Sequence, residues 1–265
     1  MNCSRNCESC PFASGAAPAS RCITVDVAGA VPDSSILDFS ASDVISFVHR
    51  GYSIRFLNLS GSDWHIGRKI IATNPDLVLN AVDSTDLENS LRLTARLIDM
   101  DSSVVMALTR YEELLATGHS LDYQTLGGLF GFPVTVLEKS GEENLSRLLS
   151  LIVDSFESRQ TKHVHVPYGK DVDEAIDTIT KEISASPQLE CFHDRYLAVR
   201  LLEDPQYIYP NIEGALNAAR IAEVAVSSAK SLEKELGEAP AVLIRKARHG
   251  FIHGALQETL VHSDD

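Results

Sequence analysis

The stretch that most constrains this chain runs from Asp76 to Leu115. It reads as a short apolar run, an amphipathic stretch and a second apolar run. Leu77 to Val82 is apolar and β-branched and follows Pro75, the composition of a strand buried on both faces. Asp83, Ser84 or Thr85 can cap a following helix, in which Leu87, Leu91, Thr94, Ala95 and Ile98 recur at helical spacing. Val104 to Leu108 then returns to an apolar run. Strand, helix and strand within about 35 residues make a βαβ unit with an expected right-handed crossover. A parallel sheet presents ligands to the carboxyl ends of its strands. Asp83 to Asp86 and Thr109 to Glu112 are therefore the first places to look for function.

The remaining elements follow in order. Ile23 to Ala28 alternates as a first strand and ends at Gly29. Val44 to Val48 and Ser53 to Leu59 flank His49-Arg50-Gly51-Tyr52 and read as a hairpin. Residues 62 to 74, with Trp64, His65, Arg68 and Lys69, make a loop or short helix, and a Trp beside a His there reads as packing. Tyr111 to Ala116 and Asp122 to Phe130 are short helices, Phe132 to Leu137 a strand. Asn144 to Phe156 is a helix with Leu145, Leu148, Leu149, Ile152 and Val153 on one face. From about Thr161 the period is helical: Val172 to Ile183, Arg195 to Leu202, Ile212 to Leu236 and Ala239 to Val261. The expected organisation is a Cys-rich tail over 1–22, an α/β domain over 23–160 and an all-helical domain over 161–265. His163 and His165 alternate in the connector, either as solvated side chains or as a pair on one face for a metal.

Composition narrows the function classes. The 265 residues are 44% hydrophobic, enough for a sizeable core. No apolar run approaches the ~20 residues of a membrane span. The polar, Cys-rich start has no apolar signal core, so a cytoplasmic protein is expected. A net charge of −14 argues against non-specific nucleic-acid binding. Four of the five cysteines fall in the first 22 residues: Cys3, Cys7, Cys10 and Cys22. In a cytoplasmic chain this clustering points to metal or redox chemistry. Four thiolates can close a zinc site or hold an iron–sulfur cluster. The spacing fits no common zinc pattern, and a reactive thiol tail is the alternative.

A strand, a glycine and a possible helix start at Gly29 are where a phosphate-binding loop would sit. That loop needs G-x-x-x-x-G-K-[ST], for close backbone approach, for a lysine on the phosphates and for a hydroxyl on Mg²⁺. Ser34, Ser35 and Ile36 stand where glycine, lysine and a hydroxyl residue belong. Taken by itself this is an ordinary strand-to-loop turn.

The order of pieces resembles one family, the cytosolic domain of FeoB, a ferrous-iron transporter that joins a GTPase domain to a small helical domain. NPDLVLNAVDSTDLENSLRLTARLIDM is similar to that family's Asn-Val-Val-Asp-Ala-Thr-Asn-Leu-Glu-Arg-Asn-Leu segment. VVMALTRYEE falls on its Val-Val-Ala-Leu-Asn-Met-x-Asp, and GFPVTVLEKSGEE on its Gly-Val-Pro-Val region. VPYGKDVDEAIDTI, DRYLAVRLLE and KARHGFIHGAL resemble successive parts of the helical domain. The resemblance covers residues 23 to 262 and implies a mostly parallel, P-loop-GTPase-like sheet flanked by helices, followed by helices.

Carried over residue by residue, the implied GTP/GDP site is eroded. The phosphate loop falls on Gly29 to Leu37, keeping the first glycine and placing Ser35 for the lysine. About 20 residues separate Leu37 from Asn58, too few for the switch segment with its Mg²⁺-contacting threonine. The Asp-x-x-Gly step falls on Asn58 to Gly61, with Gly61 kept and the carboxylate lost. The guanine-reading Asn-x-x-Asp falls on Thr109 to Glu112: Glu112 is one methylene too long and Thr109 replaces the asparagine. The last base loop falls on Lys139, Ser140 and Gly141. Each lost charge-assisted contact is worth roughly 1.5–3 kcal/mol, against about 12 kcal/mol for nanomolar affinity. The resemblance thus implies a pseudo-GTPase, partnered with a transporter membrane domain or with its own copy, either free-standing or followed by a membrane domain at the cytoplasmic face. A working GTPase is the alternative.

Overall fold

The computed structural model describes residues 21–29, 31, 36–59, 63–137, 141–158, 164–189, 193–204 and 212–262. The α/β part holds β1 (Arg21–Gly29), β2 (Val44–His49), β3 (Tyr52–Asn58), α1 (Asp63–Thr73), β4 (Leu77–Asp83), α2 (Leu87–Asp99) and β5 (Val104–Thr109). It continues with α3 (Tyr111–Ala116), β6 (His119–Leu121), α4 (Tyr123–Phe130), β7 (Val134–Val136) and α5 (Glu142–Ser158). The helical part holds α6 (Lys170–Ser184), α7 (Asp194–Glu203), α8 (Ala218–Leu236) and α9 (Pro240–Thr259), and ends in β8 (Leu260–His262).

Six strands form one sheet in the order β2-β3-β1-β4-β5-β7. All neighbours are parallel except the β2–β3 hairpin. The hairpin closes through Arg50 and Gly51, both at positive φ, the two-residue turn that matches strand twist. Six of the seven β4 residues are buried, as its continuous apolar run requires. Alternation divides them: Leu77 and Leu79 join the core under α5, while Val78 and Val82 join the core under α1 and α2. Helix α2 buries Leu87, Leu91, Thr94, Ala95 and Ile98, the stripe expected from spacing. Its Thr94 hydroxyl accepts from the buried Asn80 amide of β4 at 2.6 Å, which satisfies two groups that would be costly alone.

The core under α1 and α2 does not stop at the sheet. It continues without a break into Val172, Ile176 and Ile179 of α6, Leu197 and Leu201 of α7, Ile221 of α8 and Ile244 and Ile252 of α9.

Four boundaries differ from expectation. Arg21 and Cys22 belong to β1 and pair with Tyr52 and Ser53, so the strand starts inside the stretch read as tail. The strand expected over 132–137 is narrowed to β7: Pro133 has no N–H to give, although its carbonyl still accepts from the Met106 amide at 2.9 Å. The helix expected from Ile212 begins at Ala218, after a turn. The last helix stops at Thr259, and the second part is not all helical: β8 pairs antiparallel with β6, His119 with His262 and Leu121 with Leu260. Backbone pairing with β6 competes with continued helix and wins there.

Candidate functional site

Parallel register brings four strand ends to one edge. Val27 stands opposite Asn58, Gly29 opposite Ala81, and Asp83 opposite Thr109. Gly141 follows β7 at the same edge and opens α5, its carbonyl accepting from Leu145 N at 3.2 Å. Gly29, Asn58, Thr109, Glu112 and Gly141 are thus brought to one side of the sheet. Ser34, Ser35, Gly61, Lys139 and Ser140 lie outside the described residues.

Gly29 has φ +91, and a Cβ there would stand 2.2 Å from the Ala81 carbonyl oxygen. Glycine is therefore demanded by the approach of β1 to β4. Asn58 completes β3 and donates its backbone N–H to Asp43 O at 2.8 Å. Thr109 is 1% exposed, and its hydroxyl is directed at the Val82 carbonyl at 3.4 Å, back into the sheet. Glu112 lies in the first turn of α3 and is exposed.

Between these positions stands a fork whose two residues lie in the stretches singled out from sequence, but whose pairing the sequence did not show. Arg110 takes a left-handed conformation, φ 53, and turns its guanidinium onto Asp83. Its Nε donates to Asp83 Oδ1 at 3.0 Å and a terminal nitrogen donates to Oδ2. Asp83 Oδ1 also accepts from Thr85 N at 2.9 Å and Thr85 Oγ1 at 2.8 Å. Burial pushes this carboxyl up, but the Arg110 and Thr85 hydrogen bonds outweigh it and hold it below the usual range. The signal available in sequence was an Asp at one strand end and an Arg just past the next. A bidentate pair of this kind is geometrically specific, and it occupies the gap between the β4 and β5 ends from within the protein.

The described residues do not fit a Mg²⁺–nucleotide group well. No carboxylate stands at 58, the Asp83 carboxylate is already engaged, and Thr109 faces the sheet. Nor do three His, Cys, Asp or Glu side chains converge on a ready-made metal centre among the described residues. Cys3, Cys7, Cys10 and His163 lie outside those residues. Cys22 is at the amino end of β1, so any four-cysteine centre would form at the end of the sheet away from Gly29.

A second polar assembly joins the two parts of the chain. Asp99, at the end of α2, has no exposed side-chain surface. Its Oδ2 accepts from the Tyr168 hydroxyl at 2.6 Å and from an Arg248 terminal nitrogen at 2.9 Å. Arg248 Nε donates to the Tyr168 oxygen at 2.9 Å, and its other nitrogen reaches Glu203. Arg195 joins the assembly with its Nε 3.7 Å from Asp99 Oδ1, and it also pairs with Asp173 at 3.0 Å. Burial pushes the Asp99 carboxyl up against the pull of Arg248, and it pushes the Tyr168 hydroxyl well above its ordinary value. Beside the assembly, a cleft of about 450 Å³ is lined by Asp99, Asp101, His165, His193, Asp194 and Arg195, among others. His165 of the connector lies here. Burial lowers the His193 pKa, while Asp101 and Asp194 pull it up. No helix among the described residues is long and apolar enough to cross a membrane.

Residues 52–152 match the family profile described as ferrous iron transport protein B, and residues 168–261 match that of the FeoB cytosolic helical domain. The Fe(2+) transport protein A/Fe(2+) transporter FeoB fusion protein of Porphyromonas gingivalis is 28% identical over 228 residues, 80% of this chain and 27% of its own length. The Fe(2+) transporter FeoB of Methanocaldococcus jannaschii is 28% identical over 195 residues, 72% of this chain and 28% of its own. The chain therefore spans little more than a quarter of these relatives. The apo cytosolic domain of T. maritima FeoB superposes with a TM-score of 0.71 at 20% identity, covering 91% of this chain and 100% of that one. A GDP-bound mutant of S. thermophilus NFeoB gives 0.74 at 17% identity, over 89% and 99%. These likenesses establish the fold: a P-loop-GTPase-like sheet followed by a helical unit. With profiles of one protein matched in order through both parts, the chain belongs to the FeoB family and corresponds to its cytosolic part.

Proposed function

We propose that this chain is a FeoB-type cytosolic unit in ferrous-iron handling that keeps the GTPase scaffold but has given up nucleotide turnover. It acts as a regulatory or interaction module, at the cytoplasmic face of a membrane or free in the cytoplasm. Its partner is a transporter membrane domain or a second copy of itself. The observation that carries this reading is the Asp83–Arg110 fork, which meets its own hydrogen-bonding needs at the edge where a base would dock. Two neighbouring facts support it. Gly29, the one glycine kept from the phosphate loop, is accounted for by its contact with Ala81, and Thr109 turns its hydroxyl into the sheet. Phosphoryl transfer depends on positioning and electrostatics, so loss of the lysine and of the metal-linked groups weighs more on hydrolysis than on binding. The nucleotide positions, if any survive, are Gly29, Ser34, Ser35, Asn58, Gly61, Thr109, Glu112, Lys139, Ser140 and Gly141.

The test is calorimetric titration of the chain with GTP and GDP, with and without Mg²⁺. The expected result is no binding up to about millimolar nucleotide, a binding free energy weaker than roughly 4 kcal/mol. Micromolar or tighter binding would overturn the reading and put a working GTPase in its place. That second reading has one observation in its favour: solved relatives of the same fold are described in GDP and GMPPNP forms.

A further inference from the structure

Helix α9 carries His249 and His253 four residues apart, so both imidazoles stand on one face. The rings are stacked, with centroids 6.2 Å apart and planes 13° from parallel. Both side chains are exposed, His249 by 55%. The adjoining Gly250 and Gly254 leave open space, with nothing within 4 Å of where a Cβ would stand. Opposite His249 is Glu88, in the first turn of α2, with Oε1 2.8 Å from His249 Nε2 and 48% of its side chain exposed. Helix α2 belongs to the sheet and α9 to the helical part, and the two pack together. The nucleotide edge and the buried Asp99 assembly use none of these three side chains.

We propose that Glu88, His249 and His253 form a surface site for a first-row divalent cation of the zinc or ferrous class, which ties α9 to α2. Two histidines at i and i+4 can offer two nitrogen donors to one ion, the spacing used on metal-binding helices. Imidazole suits zinc, iron, nickel and copper, and one carboxylate completes a three-ligand set with open positions for water. Magnesium and calcium, which require oxygen ligands, are disfavoured. Without metal the three groups do not meet at one point. His249 Nε2 faces Glu88 at hydrogen-bond distance instead, whereas an ion would sit between them at about 2.1 Å from each. Closing the site is a rotation of three exposed side chains, with the α2 and α9 backbones left in place. The cation takes the place of the His249–Glu88 hydrogen bond: a neutral His249 ligates through Nε2 with its proton carried on Nδ1, and a protonated one releases its Nε2 proton to water.

The test uses the full chain with Cys3→Ser, Cys7→Ser and Cys10→Ser, so that the amino-terminal thiols hold no metal. Zinc is titrated by calorimetry, and cobalt(II) serves as a coloured probe. Expected results are one zinc per chain, a cobalt spectrum without sulfur charge-transfer absorption, and a raised melting temperature in zinc. Loss of an outer-sphere partner alone weakens metal sites by ~10–100-fold. His253→Ala and Glu88→Gln should therefore each weaken zinc binding by about tenfold or more and abolish the melting shift. Both residues are exposed, and unchanged melting without metal will confirm that the variants fold. No zinc uptake by the tail-substituted chain overturns the proposal, as does binding indifferent to His253→Ala or Glu88→Gln.

Discussion

Asp26 lies within β1, 2% exposed, and its carboxylate is bonded by the Thr73 hydroxyl at the end of α1. Burial pushes its pKa up to about 6, with the Thr73 bond pulling the other way. The fold therefore favours the protonated form. Its stabilising contribution is complete below the ordinary carboxylate range near pH ~4 and is lost as pH rises through about 6. Urea midpoints measured between about pH 4 and 6 should fall with pH, and Asp26→Asn should flatten that slope. At this scale the sequence gives positions without orientations. Thr109 was expected at a base-reading position, and only the structure shows its hydroxyl turned onto Val82 O. Gly29 was expected as the first glycine of a phosphate loop, whereas in the structure the approach of the Ala81 carbonyl already demands a glycine there. Arg110 lay inside the Thr109 to Glu112 stretch, but its role was not legible, because nothing local marks a left-handed arginine whose partner lies 27 residues back.

Elements were read most reliably where many periods repeat. The α2 stripe and the α5 face, with Leu148, Leu149, Ile152 and Val153 buried, follow directly from spacing. Capping was legible only in part: Asp83 accepts from Thr85 N in a short turn ahead of α2, whereas α2 itself starts after Asp86 with no side-chain cap. Asp122 precedes α4 and accepts from Thr125 N at 3.0 Å and Thr125 Oγ1 at 2.7 Å. Asp122→Ala should cost about 1 kcal/mol, read as a lower urea midpoint with unchanged slope. The three-residue strands β6 and β8 were not legible, since three residues show no period. They are defined by one another across a long separation, and the Asp122 N–H reaching Thr259 O at 2.8 Å continues that seam.

At the scale of the whole molecule, a shared apolar core and the Asp99–Tyr168–Arg248–Glu203 assembly join the sheet to the helices. Removing one partner of a buried ion pair strands the other, at a cost of roughly 3–5 kcal/mol. Arg248→Met should therefore lower the denaturation midpoint sharply. If the join is as continuous as the core, wild type should unfold in one transition whether followed by near- or far-ultraviolet dichroism. The sequence by itself determined the βαβ frame, the order of elements and the family. These depend on local period, capping and residue identity, all of which are properties of neighbours along the chain. Tertiary structure alone decided the Asp83–Arg110 fork, the buried assembly at Asp99, the β6–β8 seam and the approach of Glu88 to His249. Each is a pairing of residues far apart in sequence, and the physical reason is the same in every case. A buried charge or an open strand edge must find a partner, and only the packed chain brings that partner within reach.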